Sequence, residues 1–143
     1  MTLLFDWSGL MMDIIIPPQD KVFEKWGEAV RPYVGDNYSY DEKSVKSTFP
    51  YMRLFDIDVS QADGDLEGNE AAIHIGFQVE SYDSGQMASS TVKKLDLISH
   101  QAMKNMGFTR IFGGQVENVD VNIKRYISRY EMLYTGYLLN ETL

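Results

Sequence analysis

The chain contains no cysteine and only two histidines among its 143 residues. The absence of cysteine excludes disulfides, thiolate zinc sites and thiol nucleophiles, and two histidines leave few candidates for a general base or a metal pair. The apolar start MTLLFDWSGLMMDIIIPP contains no basic residue, and Asp6 and Asp13 interrupt it. We therefore expect neither a signal peptide nor a membrane span, and a protein that is soluble and intracellular when made.

Positive charge is missing from the middle of the chain. The 39 residues between Arg53 and Lys93 contain eight carboxylates and no lysine or arginine, so this acidic strip accounts for the whole formal net charge of -8. An acidic chain repels phosphate backbones and lacks the attraction that drives sequence-independent nucleic-acid binding. The strip consists of Asp56, Asp58, Asp63, Asp65, Glu67, Glu70, Glu80 and Asp83.

The chain nevertheless has the composition of a folded domain. Hydrophobic residues make up 44% of it, with nine tyrosines and seven phenylalanines, which can repay the entropy lost when the chain becomes ordered. A domain of this size buries roughly 70% of its unfolded surface. We predict a single domain over residues 1–143, in which residues 1–18 form an N-terminal extension.

Hydrophobic periodicity predicts two main helices. Apolar residues at helical spacing follow Pro17-Pro18, a typical helix start, and this pattern ends near Gly35. A second apolar stripe runs from Val92 to Met106. The predicted helices cover residues 19–35 and 88–106, the second with Ser89 or Ser90 as its N-terminal cap and Gly107 at its end.

Alternating and β-branched segments predict the strands. Residues 72–82 alternate apolar and polar side chains, which predicts a half-buried strand of an antiparallel hairpin. Residues 123–139 predict a long strand or one with a bulge near Gly136. The predicted fold is α+β, an antiparallel or mixed β-sheet with two main helices packed on one face. The other predictions are strands at 54–59 and 108–112, a loop at 36–49, an acidic turn at 61–69, a turn at Gly113-Gly114 and a loop at 118–122.

No motif predicts an enzyme, a cofactor or a metal. The acidic turn matches the first half of an EF-hand loop at Asp63, Asp65, Glu67 and Gly68. The twelfth position needs a bidentate Glu and is His74, so a solvated hairpin loop is the better interpretation. Catalysis by paired carboxylates needs one acid in an apolar pocket, and neither histidine has the partners of a triad. We predict a binding or assembly protein with no catalytic, cofactor-binding or metal site.

The final strand points to assembly. Between Tyr126 and Tyr137 both faces of the predicted strand carry large apolar or aromatic groups, whereas a strand in a one-sided sheet alternates apolar with polar. The second face could be covered by a helix, by residues 1–16 or by another subunit.

Several short phrases, in their order along the chain, resemble the tail terminator proteins of long-tailed bacteriophages, also called tail-completion or minor structural proteins. The resemblance covers roughly residues 20 to 135. Thr109 and the hydrophobic start depart from the family pattern. The phrases are FPYMRL at 49–54, the acidic turn, HIGFQVESY at 74–82, MGFTR at 106–110 and RYISRYE at 125–131.

The resemblance implies a structural virion protein with a tail-terminator-like domain. Such a subunit forms a six-membered ring on the head-proximal end of the tail tube, ends tube polymerisation and makes the joint to the head connector. The implied partners are other copies of the chain, the tail-tube protein and a head-side connector or stopper protein, with no membrane. The genome would pass through the ring without specific binding. The implied location is the virion tail, and the host cytoplasm during assembly.

Two groups of residues become candidates for this role. Part of the acidic strip could line the channel or lie between subunits, where negative charge would repel the genome; a solvated surface is the alternative. A closed ring also needs two different faces that fit each other, and we expect Arg129 to pair with a neighbour's carboxylate. The acidic loop candidates are Asp63, Asp65, Glu67 and Glu70, and the subunit-interface candidates on the exposed side of the final strand and nearby are Arg110, Lys124, Arg125, Tyr126, Arg129, Tyr130 and Tyr134.

Two other functions fit the same composition. A head-closure or tail-tube protein could share this size and acidity, although tube proteins usually need longer hairpins than the one predicted here. A small-ligand-binding α+β domain would instead have a deep apolar pocket.

Overall fold

Two helices pack on one face of a five-stranded sheet in the computed structural model, which describes residues 16–40, 48–64, 70–117 and 119–141, with the backbone alone for 61–64, 70 and 71. The strand order is β1-β2-β3-β5-β4, with β1 parallel to β2 and every other pair antiparallel. This mixed sheet confirms the predicted α+β fold. The elements are α1 (Gln19–Val34), β1 (Tyr38–Tyr40), β2 (Tyr51–Gly64), β3 (Glu70–Ser84), α2 (Ala88–Met106), β4 (Thr109–Val116) and β5 (Ile123–Tyr134), followed by a 3-10 turn at Leu139–Glu141.

The core lies between the helices and the sheet. Trp26 of α1 is fully buried, and its indole N–H donates a hydrogen bond of 2.9 Å to Ser99 of α2. This bond ties the two helices together because a buried indole N–H needs a partner. Strand β3 contributes alternate apolar residues to the same core, as predicted. They are Ile73, Ile75, Phe77 and Val79.

The other face of β3 differs from its prediction. The alternation predicts that His74, Gln78 and Glu80 face solvent, but Gln78 and Glu80 are buried. Strand β3 is the central strand of the sheet, so long side chains from both neighbouring strands can cover its polar residues. The prediction of a half-buried strand is therefore wrong at these two positions.

Two predicted boundaries change because of tertiary contacts. Residues 38–40 form strand β1 instead of a loop, and the Asn37 amide beside it donates to the Pro50 carbonyl at 2.7 Å. Gly113-Gly114 lies inside β4 instead of forming a turn. A side chain at Gly113 would meet Arg110, since an added Cβ would lie 2.9 Å from its Nη1. The neighbouring sequence gives no indication of either contact.

The remaining differences are at element ends. Helix α2 starts at Ala88, so Ser89 and Ser90 lie inside it and neither caps it. Gly107 ends α2 in the left-handed conformation, as predicted. Strand β5 ends at Tyr134, ahead of Gly136 with its φ of +128°. Strand β2 extends from Tyr51 to Gly64 instead of covering only 54–59, so the predicted acidic turn at 61–69 is wrong at residues 61–64. Residues 65–69 of that turn and residues 1–15 of the N-terminal extension lie outside the described residues. No described helix is both long and apolar enough to cross a membrane.

Candidate functional site

The face of the sheet turned away from the helices, here called the outer face, carries a buried charged network centred on Glu80. Glu80 is 1% exposed and belongs to the central strand. Arg53 of β2 donates to Glu80 Oε1 from Nε at 3.0 Å and from Nη2 at 2.8 Å. Arg125 of β5 donates from Nη2 to Glu80 Oε2 at 3.1 Å. Gln78 and Tyr82 also donate to the same carboxylate.

These bonds decide the ionisation of Glu80. Burial acts most strongly and opposes the charge, but the hydrogen bonds from Tyr82, Arg125 and Arg53 together outweigh it, and the pKa of Glu80 lies below its ordinary 4.5. Burial, followed by the bond to Glu80, raises the pKa of Tyr82 to about 12. Glu80 is therefore an ionised carboxylate at neutral pH, and Tyr82 is its neutral donor.

The outer face carries more positive than negative charge around Glu80. Arg129 donates from Nε to Gln78 at 2.8 Å, and its guanidinium lies 5.5 Å from the ring centroid of Phe112. Arg53 and Arg125 lie over aromatic rings in the same way. Two guanidinium groups thus bind the buried carboxylate, and a third, that of the exposed Arg129, binds the neighbouring Gln78. Cations stacked on rings are held in place while remaining able to pair with another group.

A second polar group lies further along the outer face. His74 Nδ1 is 2.9 Å from Asp58 Oδ2, and its Nε2 is 3.2 Å from Glu131 Oε2. A neutral imidazole has one N–H, and two carboxylates both require a donor. The bond to Asp58 is the largest influence, and with Glu131 it raises the pKa of His74 above 6.5 against the effect of burial. His74 therefore links β2, β3 and β5 through its contacts with Asp58 and Glu131.

A third cluster lies on the helix side of the sheet. Asp96 of α2 is 3% exposed and accepts from Arg110 at 2.8 Å and from Ser128. Arg110 also donates to the Tyr130 hydroxyl at 3.0 Å. Burial and the nearby Arg110 lower the pKa of His100, whose ring stacks on Tyr130. This cluster joins α2 to β4 and β5 and lies mostly inside the subunit.

The structure divides the predicted interface residues between these surfaces. Arg125 and Arg129 are on the outer face, together with the buried network. Tyr130 and Tyr134 are 0% and 2% exposed, so the prediction that they lie on an exposed side is wrong. Strand β5 is flanked by β3 and β4, and alternation turns one of its faces toward the helices. By alternation the half-buried Tyr126 lies on this helix-facing side of β5. Arg110 forms an ion pair with Asp96, and Lys124 donates a hydrogen bond of 3.3 Å to the Val121 carbonyl.

The acidic strip does not form one surface. Glu80 lies in the buried network, Asp58 bonds to His74, and Asp56 accepts from Tyr40. The backbone of Asp63 and Glu70 lies at the end of the paired strands β2 and β3, beyond Ile73, where the pairing of β3 with β5 ends. Asp65 and Glu67 lie outside the described residues. Channel lining by the predicted acidic loop stays a prediction.

Sequence reasoning missed the network around Glu80. A usable signal was present, because Gln78, Glu80 and Tyr82 recur at every second position of a strand flanked by arginine-bearing strands. A polar row of this kind in a central strand needs partners when it is buried.

No metal site emerges from the described residues. No group of three histidine, aspartate or glutamate side chains among them could hold a metal ion. A cavity of about 320 Å³ lies where β4 leads into β5, at the lower end of the size range of ligand sites. Its described lining has no aromatic residue and consists of Gln115, Val116, Glu117, Val121, Ile123 and Lys124.

Comparisons with known proteins give one fold-level likeness. No protein-family model matches the chain, and no curated protein matches it. Among solved structures, the chain is similar to one chain of the "Virion of native gene transfer agent (GTA) particle", with a TM-score of 0.60 and 11% sequence identity. The match covers 80% of this chain and 92% of that chain. At this identity the likeness shows a shared fold, one that also occurs in a virion particle.

Proposed function

We propose that this protein is a structural component of a phage-like virion, and specifically the subunit of a ring that caps the head-proximal end of the tail tube. The observation that carries the proposal is the fold shared with a chain of a virion particle over 92% of that chain. The resemblance of its short sequence phrases to tail terminators supports the finer role. In this proposal residues 1–143 act as one terminator-like domain, with residues 1–18 as an extension of it.

The chemistry of the described surface supports an assembly role over a catalytic or ligand-binding one. Its polar clusters are ion pairs and hydrogen bonds between strands and helices, centred on Glu80 and Asp96. Stacked arginines and exposed apolar residues lie on the outer face, and arginine and aromatic residues are enriched in protein interfaces. In the proposed ring the partners are other copies, the tail-tube protein and a head-side connector. The acidic loop at Asp63, Asp65, Glu67 and Glu70 would face the channel and repel the passing genome.

The test is tube assembly with the tail-tube protein of the same particle. Purified subunit is added at increasing ratios to polymerising tail tubes, and tube lengths and the position of labelled subunit are measured by electron microscopy. A terminator shortens the tubes and labels one end of each tube. A tube component would lengthen them and label them along their whole length, and a ligand-binding domain would do neither; both results contradict the proposed function.

A further inference from the structure

The sheet has two free edges in the part of the chain that the structure describes. β4 is the last strand on one side, and its outer edge pairs with no described strand. On the other side β1 pairs with β2 only from Met52 to Leu54. The rest of β2, from Phe55 to Gly64, therefore has a free edge among the described residues. Free edges present unpaired N–H and C=O groups that readily pair with another chain.

Both edges have the features of a contact surface. Ile57 and Val59 on the β2 edge are 45% and 39% exposed, and Ile111 and Phe112 on the β4 edge are 52% and 41% exposed. Neither edge contains the lysine or proline with which sheet proteins commonly block unwanted pairing. The register is irregular on both edges, next to Ile57 and at two further points between Gln61 and Gly64 on the β2 edge, and next to Ile111 on the β4 edge. Bulges restrict the register in which a new strand can pair.

The two edges carry opposite charge. Asp56 and Asp58 lie on the β2 edge, and the Asp58 side chain is 50% exposed. One strand in from the β4 edge, Arg129 of β5 has its guanidinium 5.5 Å from the ring centroid of Phe112 of β4, and its only hydrogen bond within the described chain is the one from Nε to Gln78 of β3. Its terminal Nη groups can therefore bind a carboxylate from outside the subunit.

We propose that the two edges are the two halves of one interface between copies of this chain. The β4 edge of one copy binds the β2 edge of the next copy, so that the sheet continues from subunit to subunit and Arg129 of β5 reaches across β4 to Asp58. Because the two halves differ, the contact is head-to-tail, the type that generates rings when the rotation closes. The inference deepens the proposed function, and it rests on that function for the closure into a ring.

The test is a charge swap between subunits. Arg129→Glu places a second carboxylate opposite Asp58 of the next copy, and Asp58→Arg places a second guanidinium opposite Arg129. Each variant alone should assemble at least about tenfold more weakly than the wild-type chain, because one like-charge contact costs more than the 1.4 kcal/mol that corresponds to a factor of ten. An equal mixture of the two variants should regain assembly, since every contact in an alternating ring then joins opposite charges.

The mixture separates this contact from effects within one subunit. If Arg129 and Asp58 acted within the same chain, mixing would not restore assembly, and that result would overturn the inference. Lys93→Glu and Glu28→Arg make the same charge changes on exposed helical positions and should leave assembly unchanged. Thermal unfolding monitored by circular dichroism checks each variant, and Arg129→Glu, which leaves the contact between Asp58 and His74 in place, carries the test alone if Asp58→Arg unfolds the chain.

The readout keeps the two proposals apart. Assembly is measured by sedimentation and by labelling of tube ends, so that a ring that forms only on tubes is also detected. Rings that form as well in both single variants as in the wild-type chain would overturn the edge-to-edge contact and leave the cap function standing. A wild-type chain that assembles in neither setting would contradict both.

Discussion

Replacing Glu80 by Gln tests whether the outer face of the sheet is held together by charge. The substitution keeps the size of the side chain and removes a carboxylate that pairs with both Arg53 and Arg125. The side chains of these arginines are 13% and 26% exposed, so water can stabilise them only in part once the carboxylate is gone. Breaking a buried pair by removing one partner typically costs about 3 to 5 kcal/mol, and we expect about 3 kcal/mol because both arginines keep some solvent contact.

Urea unfolding measures this loss. With a slope of about 2 kcal/mol per molar urea, typical of small domains, the unfolding midpoint should fall by about 1.5 M. Asp83→Asn is the matched control, because it makes the same charge change on the same strand, and Asp83 has no hydrogen bond or ion pair within the described chain. The control should change the free energy of unfolding by less than about 0.5 kcal/mol.

The pH dependence of stability gives a second measure of the same group. The folded-state pKa of Glu80 is below its ordinary 4.5, so its ionisation stabilises the fold fully above that value and this contribution is lost as the pH falls through the lower, folded-state pKa. Wild-type protein and the Glu80→Gln variant should therefore differ most near neutral pH and converge in acid. A Glu80→Gln midpoint equal to that of Asp83→Asn at pH 7 would refute the reasoning.

Three further predictions concern single groups. NMR titration should give a pKa above 6.5 for His74 and below 6.5 for His100. The contribution of His74 to stability is complete below pH 6.5 and is lost as the pH rises through its folded-state pKa. The reverse order of the two pKa values would contradict the contacts. Gly107→Ala should lower the free energy of unfolding in urea more than Gly85→Ala does. Both glycines have φ near +100°, so each substitution costs about 1 to 3 kcal/mol for the left-handed backbone, but only an added Cβ at Gly107 would meet other side chains, at 3.2 Å. Equal losses would show that this crowding has no effect. Ser99→Ala should lower the free energy of unfolding by about 1 to 3 kcal/mol because it leaves a buried indole N–H of α1 without its acceptor, and a loss below about 0.5 kcal/mol would show that another group replaces it.

The fold could be predicted wherever periodicity and burial agree. The helix stripes and the apolar row from Ile73 to Val79 follow from local patterns, and the structure places them in the core. Elements that depend on a distant partner were not predictable in this way. Strand β1 forms by pairing with β2. Gly113 lies inside a strand at a position where a larger residue would collide with the Arg110 side chain.

The candidate surface was predictable only in part. The basic phrase around Arg125 and Arg129 marks a strand that reaches the outer face, but the sequence does not tell which tyrosines of that strand turn toward the helices. Tyr130 is buried because β5 has strands on both sides and helices over one face. The position of a strand within its sheet is a long-range property, so alternation alone gives two faces without saying which one is covered.

Sedimentation velocity of the purified chain over a wide concentration range shows whether copies of this chain join head-to-tail into a closed ring. A closed ring should appear as one species of fixed size, near six subunits of 16.4 kDa each, whose amount rises with concentration while its mass stays constant. A dimer that never grows further, or particles whose mass increases without limit as the concentration rises, would contradict it.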